Sequence, residues 1–267
     1  MTKTVAIAGL GAIGLPLARA LDAGVEGLSL VAVAARDQTR ALAKLAGFRN
    51  APRLVGFNDL AAADIVVECV PATQFDRVAL PAIDAGRILV VLSAGALLPR
   101  MHLVRRATAA GGRIVVPTGA LLGLDAVRAA AEGPIESVSI ETRKPPGGLA
   151  GAPYLEQNAI SVEGLTEPLL VFEGNALEAA AGFPANVNVA AALALAGIGP
   201  VRTKVRIWAD PGVDRNTHTI TVEAEAARFT MKIENVPSDE NPRTGKLVAP
   251  SVLACLRGLV SPLKIGS

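Results

Sequence analysis

Residues Gly9-Leu10-Gly11-Ala12-Ile13-Gly14 form a G-x-G-x-x-G run, and its surroundings narrow the possible folds more than any other stretch of the chain. Thr2 to Ala8 (TKTVAIA) reads as a short buried strand before it. Leu15 to Leu21 (LPLARAL) has the apolar spacing of a helix after it. At a strand-to-helix turn the three glycines have separate physical tasks. Gly9 permits the tight turn, Gly11 lets backbone approach a phosphate, and Gly14 lets helix and strand pack closely. The helix N-terminus adds N–H donors and a positive dipole for a pyrophosphate, with Ala12 and Ile13 at the contact. A nicotinamide dinucleotide, NAD or NADP, is the expected guest; a glycine-rich turn without a ligand is the competing reading.

Downstream, strand-like and helix-like segments alternate. Leu28 to Ala34 (LSLVAVA), Asp64 to Val70 (DIVVECV), Arg87 to Ser93 (RILVVLS) and Arg113 to Val116 read as strands, separated by helical patterns over Asp37 to Gly47, Pro71 to Ala85 and Leu98 to Ala110. Near-continuous apolar strands alternating with helices predict a parallel sheet covered on both faces. After Pro117 the pattern changes. Ile135 to Thr142 alternates apolar and polar, and Val201 to Ala209, Thr217 to Ala226 and Arg228 to Val236 read as strands, the last two as a hairpin. The expected fold is α/β, an N-terminal Rossmann-type doubly wound parallel sheet with a second α+β domain containing a mixed or antiparallel sheet. The expected boundaries are 1–117 plus 242–267 for dinucleotide binding, with a final helix from Arg243 to Leu259 packing back, and 118–241 for catalysis and dimerisation.

Composition removes several classes of function. Apolar residues make up 51% of the 267, yet no run approaches the roughly 20 apolar residues of a spanning helix, so no membrane partner is expected. Lys and Arg number 26 against 24 Asp and Glu, without a basic run, so no nucleic-acid partner is expected either. Cys69 and Cys255 sit apart in apolar surroundings and read as reduced core thiols; with only two histidines, no metal site is expected. The N-terminus lacks the charged and apolar pattern of a secretory leader, which points to the cytoplasm.

Cofactor choice rests on the end of the second strand. An acidic side chain there hydrogen-bonds the ribose of NAD, whereas an arginine accommodates the 2'-phosphate of NADP. This chain has Ala34-Ala35-Arg36-Asp37, so Arg36 predicts that NADP(H) is accepted; Asp37 taking the acidic role after a one-residue slip is the alternative. Ala94, in the loop Ser93-Ala94-Gly95-Ala96, is a further cofactor candidate. His102 falls inside a helix. His218 follows a polar, turn-rich connection, where it reads either as a general acid/base with an ordinary pKa near 6.5 or as a satisfied loop histidine. Arg143, Lys144, Arg215, Arg243 and Lys246 are the cations available to bind carboxylates, with Lys144 and Lys246 preferred.

Gly9 to Gly14, Ser93 to Ala96, Thr118-Gly119-Ala120, Thr142-Arg143-Lys144, Val171 to Gly174, Phe183 to Ala190 (FPANVNVA), Asn216 to Ile220 (NTHTI) and Glu240 to Thr244 (ENPRT) occur in an order that resembles the L-aspartate dehydrogenase family, through almost the whole chain. The resemblance implies NAD(P)-dependent oxidative deamination of L-aspartate to iminoaspartate. That product either hydrolyses to oxaloacetate and ammonia or feeds quinolinate and NAD biosynthesis. The resemblance also implies His218 as the catalytic residue, Ala120 and Asn188 as cofactor contacts, and a homodimer. Asn188 could equally cap the helix that follows it. Thr118 and Leu121 depart from the residues common in the family, and Gly147 to Thr166 looks like a longer insertion. A homoserine dehydrogenase-like enzyme and a non-catalytic NAD(P)-binding redox sensor are the rival readings.

Overall fold

A computed structural model of the protein describes residues 2–184, 187–238, 240–241 and 244–266. The chain divides into two compact units. One comprises Met1–Ser93, Arg100–Gly119 and Val248–Ile265; the other comprises Ala94–Pro99, Ala120–Leu247 and Gly266–Ser267.

The first unit is built on six parallel strands, β1 (Lys3–Ala8), β2 (Leu28–Ala34), β3 (Arg53–Leu54), β4 (Ile65–Glu68), β5 (Ile88–Val91) and β6 (Arg113–Val115), in the order β3-β2-β1-β4-β5-β6. Val5, Ile7, Val33, Ile65, Val67 and Val90 are fully buried, as expected of a parallel sheet covered on both faces. The covering helices are α1 (Gly14–Ala23), α2 (Gln38–Leu45), α3 (Phe75–Asp84) and, beyond a short α4 (Ala94–Leu97) that belongs to the other unit, α5 (His102–Ala109). The predicted helix over Leu98 to Ala110 is thus interrupted: 98–100 form a 3-10 turn at Pro99, and α5 starts at His102. The predicted doubly wound parallel sheet is present.

The second unit carries α6 (Leu124–Ala130), β7 (Ile135–Lys144), α7 (Pro153–Gln157), β8 (Leu169–Asn175), α8 (Ala176–Gly182), α9 (Asn188–Ala196), β9 (Thr203–Ala209), β10 (Asn216–Ala224) and β11 (Arg228–Asn235). Its strands form one mixed sheet in the order β11-β10-β7-β9-β8, in which only β7 and β9 run parallel. Val138, Ile140, Val205, Ile207, Ile220 and Val222 face the core, together with Phe172, Phe183 and Tyr154, whose rings lie 5.1 to 5.6 Å apart. The hairpin expected from the last two strands is β10–β11. A capping box closes α8, where Asn175 accepts from the N–H groups of Leu177 and Glu178 while Glu178 reaches back to the Asn175 N–H.

The last helix, α10 (Val248–Gly258), starts five residues after the predicted Arg243 and ends one before Leu259. Val252 and Leu256 on it are fully buried in the first unit's core, beside Leu17 and Leu21 of α1. Among the described residues no helix is long and apolar enough to cross a membrane.

Candidate active site

In the first unit, β1 leads directly into the glycine run. Gly9 has φ +92°, a left-handed conformation that an L side chain resists, and a Cβ there would also overlap the Cys69 carbonyl. A Cβ on Gly14 would overlap the carbonyl oxygen of Gly9, so α1 can lie this close to the turn only because the position is glycine. Gly11 is different. It is exposed, and a Cβ built on it meets no atom within 4 Å, which leaves room for a ligand to come up to the backbone. The N-terminus of α1 has no side-chain cap and no acidic residue in its first turn. Of the first N–H groups, that of Leu15 bonds the Gly11 carbonyl and Pro16 has none, which leaves those of Ile13 and Gly14 without a side-chain partner. A pyrophosphate satisfies those donors and the helix dipole together, so these residues fit a dinucleotide.

At the end of β2, Asp37 Oδ1 accepts from the Arg40 N–H at 2.9 Å and caps α2, whereas Arg36 is exposed. Both residues are exposed, and the acidic one is engaged in capping α2. Lys44, which the motif gave no reason to single out, donates to the Leu10 carbonyl at 2.7 Å and places a half-buried ammonium against the glycine turn.

A second unforeseen residue is Glu68, the last residue of β4 and fully buried. Its Oε1 accepts from the Val70 N–H and the Ser93 hydroxyl, both at 3.0 Å, and its Oε2 accepts from the Ser93 N–H at 2.9 Å. One carboxyl thereby ties together the chain leaving β4 and the chain leaving β5, at the carboxyl edge where open α/β sheets bind ligands. Burial pushes this carboxyl up to about 7, against the lowering effect of those hydrogen bonds. Cys69 and Cys255 are free thiols, both pushed up by burial, as fits unreactive cysteines.

The second unit gathers several of the remaining predicted residues. Ala94 is buried in α4, and the neighbouring Gly95 N–H donates to Asn188 Oδ1 at 3.1 Å. Asn188 does not cap α9: the N-cap is Val187, without a side-chain bond, and the Asn188 amide is turned to the α4 backbone instead. The Ala120 carbonyl accepts from Asn235 Nδ2 at 3.1 Å.

His218 lies inside β10, within the strand expected over Thr217 to Ala226 and beyond the polar connection before it, and only 2% of its surface is exposed. It stands opposite Thr142 of β7, with Nδ1 2.9 Å from the Thr142 hydroxyl. Lys144, also buried, follows two residues on along the same face of β7. Burial first, and the Lys144 charge second, push the His218 imidazole down to about 3. The ordinary pKa expected from a polar loop is therefore corrected: the ring is neutral at pH 7 because the strand carries it out of water.

The cations divide by strand parity. Arg143 leaves β7 from the opposite face, where it bonds Glu141 and Asp210 at 3.0 Å each and stacks over Trp208 at 4.8 Å. The structure does not bring it to His218. Arg215 is partly exposed and paired with its neighbour Asp214. Lys246 is exposed, with its N–H bonded to the Val236 carbonyl. Arg243 lies outside the described residues.

A glycine turn built for a pyrophosphate, on a doubly wound sheet, defines the first unit as that of an NAD(P)-binding oxidoreductase, and the comparisons agree. Residues 9–117 match the family described as "Homoserine dehydrogenase, NAD binding domain", and residues 125–259 match "Aspartate dehydrogenase, C-terminal". The chain is 56% identical to an L-aspartate dehydrogenase of Bradyrhizobium diazoefficiens over 98% of its own length and 94% of the relative's. It is 53% identical to L-aspartate dehydrogenase 3 of Bordetella bronchiseptica over 98% and 97%. Among solved structures, aspartate dehydrogenase from Thermotoga maritima superposes with a TM-score of 0.77 at 26% identity, covering 100% of both chains. The chain belongs to the aspartate dehydrogenase family.

Glu68 makes a prediction about stability. A carboxyl raised from its ordinary value to about 7 holds its proton in the folded state more tightly than in the unfolded state. Its contribution is fully present below about pH 4.5 and is lost as pH rises through 7. Between those limits the stability of the native protein relative to Glu68→Gln should fall by about 3 kcal/mol, at about 1.4 kcal/mol per pKa unit. Urea unfolding of both proteins from pH 5 to 8 checks it; parallel pH profiles would show that Glu68 titrates normally.

Proposed function

We propose that this chain catalyses the reversible NAD(P)-dependent oxidative deamination of L-aspartate to iminoaspartate, which hydrolyses to oxaloacetate and ammonia. The observation that carries the reading is a neutral histidine buried beside a lysine in the second unit, in a chain whose first unit is built for a dinucleotide. The homoserine dehydrogenase name attaches only to the dinucleotide-binding half, and the half that differs among such enzymes matches aspartate dehydrogenase. A redox sensor without turnover would have no use for His218.

Oxidising the substrate removes a hydride from Cα and one proton from the ammonium. A bound nicotinamide supplies the hydride acceptor. Gly9, Gly11, Ala12, Ile13 and Gly14 would hold its pyrophosphate, and Ala94, Ala120 and Asn188 are the further cofactor contacts we assign. His218 takes the proton. Its lone pair is available because the ring is neutral, and a dicarboxylate bound nearby raises its basicity, since negative charge favours the protonated ring. Lys144 and Lys246 are the cations we assign to the substrate carboxylates.

An assay with L-aspartate and L-homoserine, in NAD and NADP, tests the reading: aspartate-dependent reduction of cofactor supports it, and reduction with homoserine alone overturns it. His218→Ala should lower kcat by on the order of 100-fold or more with cofactor affinity nearly unchanged. Normal turnover in that variant would remove His218 from the chemistry.

Arg36 is proposed to receive the 2'-phosphate. Arg36→Ala should then raise KM for NADP at least about tenfold and leave KM for NAD within about twofold, the loss of one charge-assisted contact being worth about 1.5 to 3 kcal/mol. Equal changes for both cofactors would place the phosphate elsewhere.

The second unit is further proposed to form a homodimer through the outer face of its sheet, where Arg143, Arg206 and Trp208 are brought together. Sedimentation should give twice the 27.3 kDa chain mass, and a monomer at assay concentration would exclude the dimer.

A further inference from the structure

The hydroxyl opposite His218 has a place in the chemistry that no motif assigns. An imidazole that takes a proton at one nitrogen must carry its existing proton on the other, so a neutral histidine works as a base only in one of its two tautomers. Out of water, the tautomer is decided by the bond its surroundings offer. Here the bond joins Nδ1 and the Thr142 hydroxyl oxygen, 2.9 Å apart, and both residues are at least 97% buried.

We infer that Thr142 is a positioning residue which holds His218 in the Nδ1–H tautomer, with Thr142 Oγ1 accepting that proton's hydrogen bond, so that Nε2 is the basic atom. The inference rests on His218 being the proton acceptor of the proposed reaction.

Two observations support the assignment. First, Thr142 and His218 are directly opposed on adjacent antiparallel strands, with Ile140 opposite Ile220 and Val138 opposite Val222 behind them. The sheet ladder and the packed core row fix the two backbones opposite one another and put both side chains on the same buried face. Second, a hydroxyl is suited to a ring that changes charge. It accepts from Nδ1–H when the ring is neutral and still accepts when proton uptake at Nε2 makes the ring an imidazolium, so no group has to reorient as the proton moves. A carboxylate in its place would hold the ring protonated. An aliphatic side chain would leave Nδ1 buried without a partner, at a cost of about 1 to 3 kcal/mol.

With only two histidines in the chain, the test has a direct readout. In protein labelled with [15N]histidine, a His102→Gln variant assigns the exposed ring and leaves the His218 signals alone. Native protein at pH 7 should show a protonated, pyrrole-type Nδ1 and an unprotonated Nε2. Thr142→Val should move the ring toward the Nε2–H tautomer and lower kcat at least about tenfold, with KM for aspartate and for cofactor within about twofold. Thr142→Ser should restore both the spectrum and the rate. A native Nε2–H tautomer overturns the inference, as does a Thr142→Val protein with unchanged tautomer and rate. A Thr142→Val protein that fails to fold leaves the native spectrum and the Thr142→Ser rescue relative to Thr142→Ala to decide. His218→Ala separates the two claims: full activity there sinks the catalytic histidine itself, whereas an inactive His218→Ala beside a fully active Thr142→Val sinks only the role of Thr142.

Discussion

Helix α1 can meet β1 at a tight turn because position 14 carries no side chain, and that single close approach organises the dinucleotide half of the protein. A methyl group there would overlap the Gly9 carbonyl, and one at position 9 would overlap the Cys69 carbonyl. The first contact fixes where the uncapped N–H groups of α1 point. The second packs the turn against the chain leaving β4. From there Glu68 carries the constraint sideways to β5 through Val70 and Ser93. The glycine turn and the neighbouring strand ends are therefore one hydrogen-bonded edge rather than separate loops. Burying a carboxyl to hold that edge raises its proton affinity, yet its three donors keep it satisfied when ionised.

The second unit is organised by a different constraint. Its mixed sheet presents one face to an apolar core, and at the end of that face the row of valines and isoleucines gives way to Thr142, Lys144 and His218. Polar side chains there inherit the dryness and rigidity of the core row. An imidazole in such a place is neutral, fixed in orientation and sensitive to the charge of whatever binds. Those are the properties that the role proposed for His218 requires.

Much of this was legible in the sequence, and the misses have physical causes. The fingerprint glycines, the parallel sheet and the β10–β11 hairpin follow from local pattern, which is why they could be read. The burial of His218 was also encoded, in the parity of Asn216 to Val222: His218, Ile220 and Val222 fall on one side of the strand. The polar connection just before the strand drew the reading of His218 toward a solvated environment and hid that signal. The same parity separates Arg143 from Thr142 and Lys144. Glu68 gave less warning, because a single acidic letter in DIVVECV acquires its meaning only from Ser93, 25 residues away. Asn188 looked like a cap because caps are local; its real partner, Gly95, lies 93 residues earlier in the chain.

The account stands on a hydride leaving Cα of L-aspartate for the nicotinamide of a bound dinucleotide. The most direct measurement is the fate of that hydrogen. With L-[2-2H]aspartate and oxidised NAD or NADP, the reduced cofactor recovered from the reaction should carry one deuterium by mass spectrometry, in proportion to the oxaloacetate and ammonia formed. Reduced cofactor without deuterium, or release of ammonia without cofactor reduction, would contradict it.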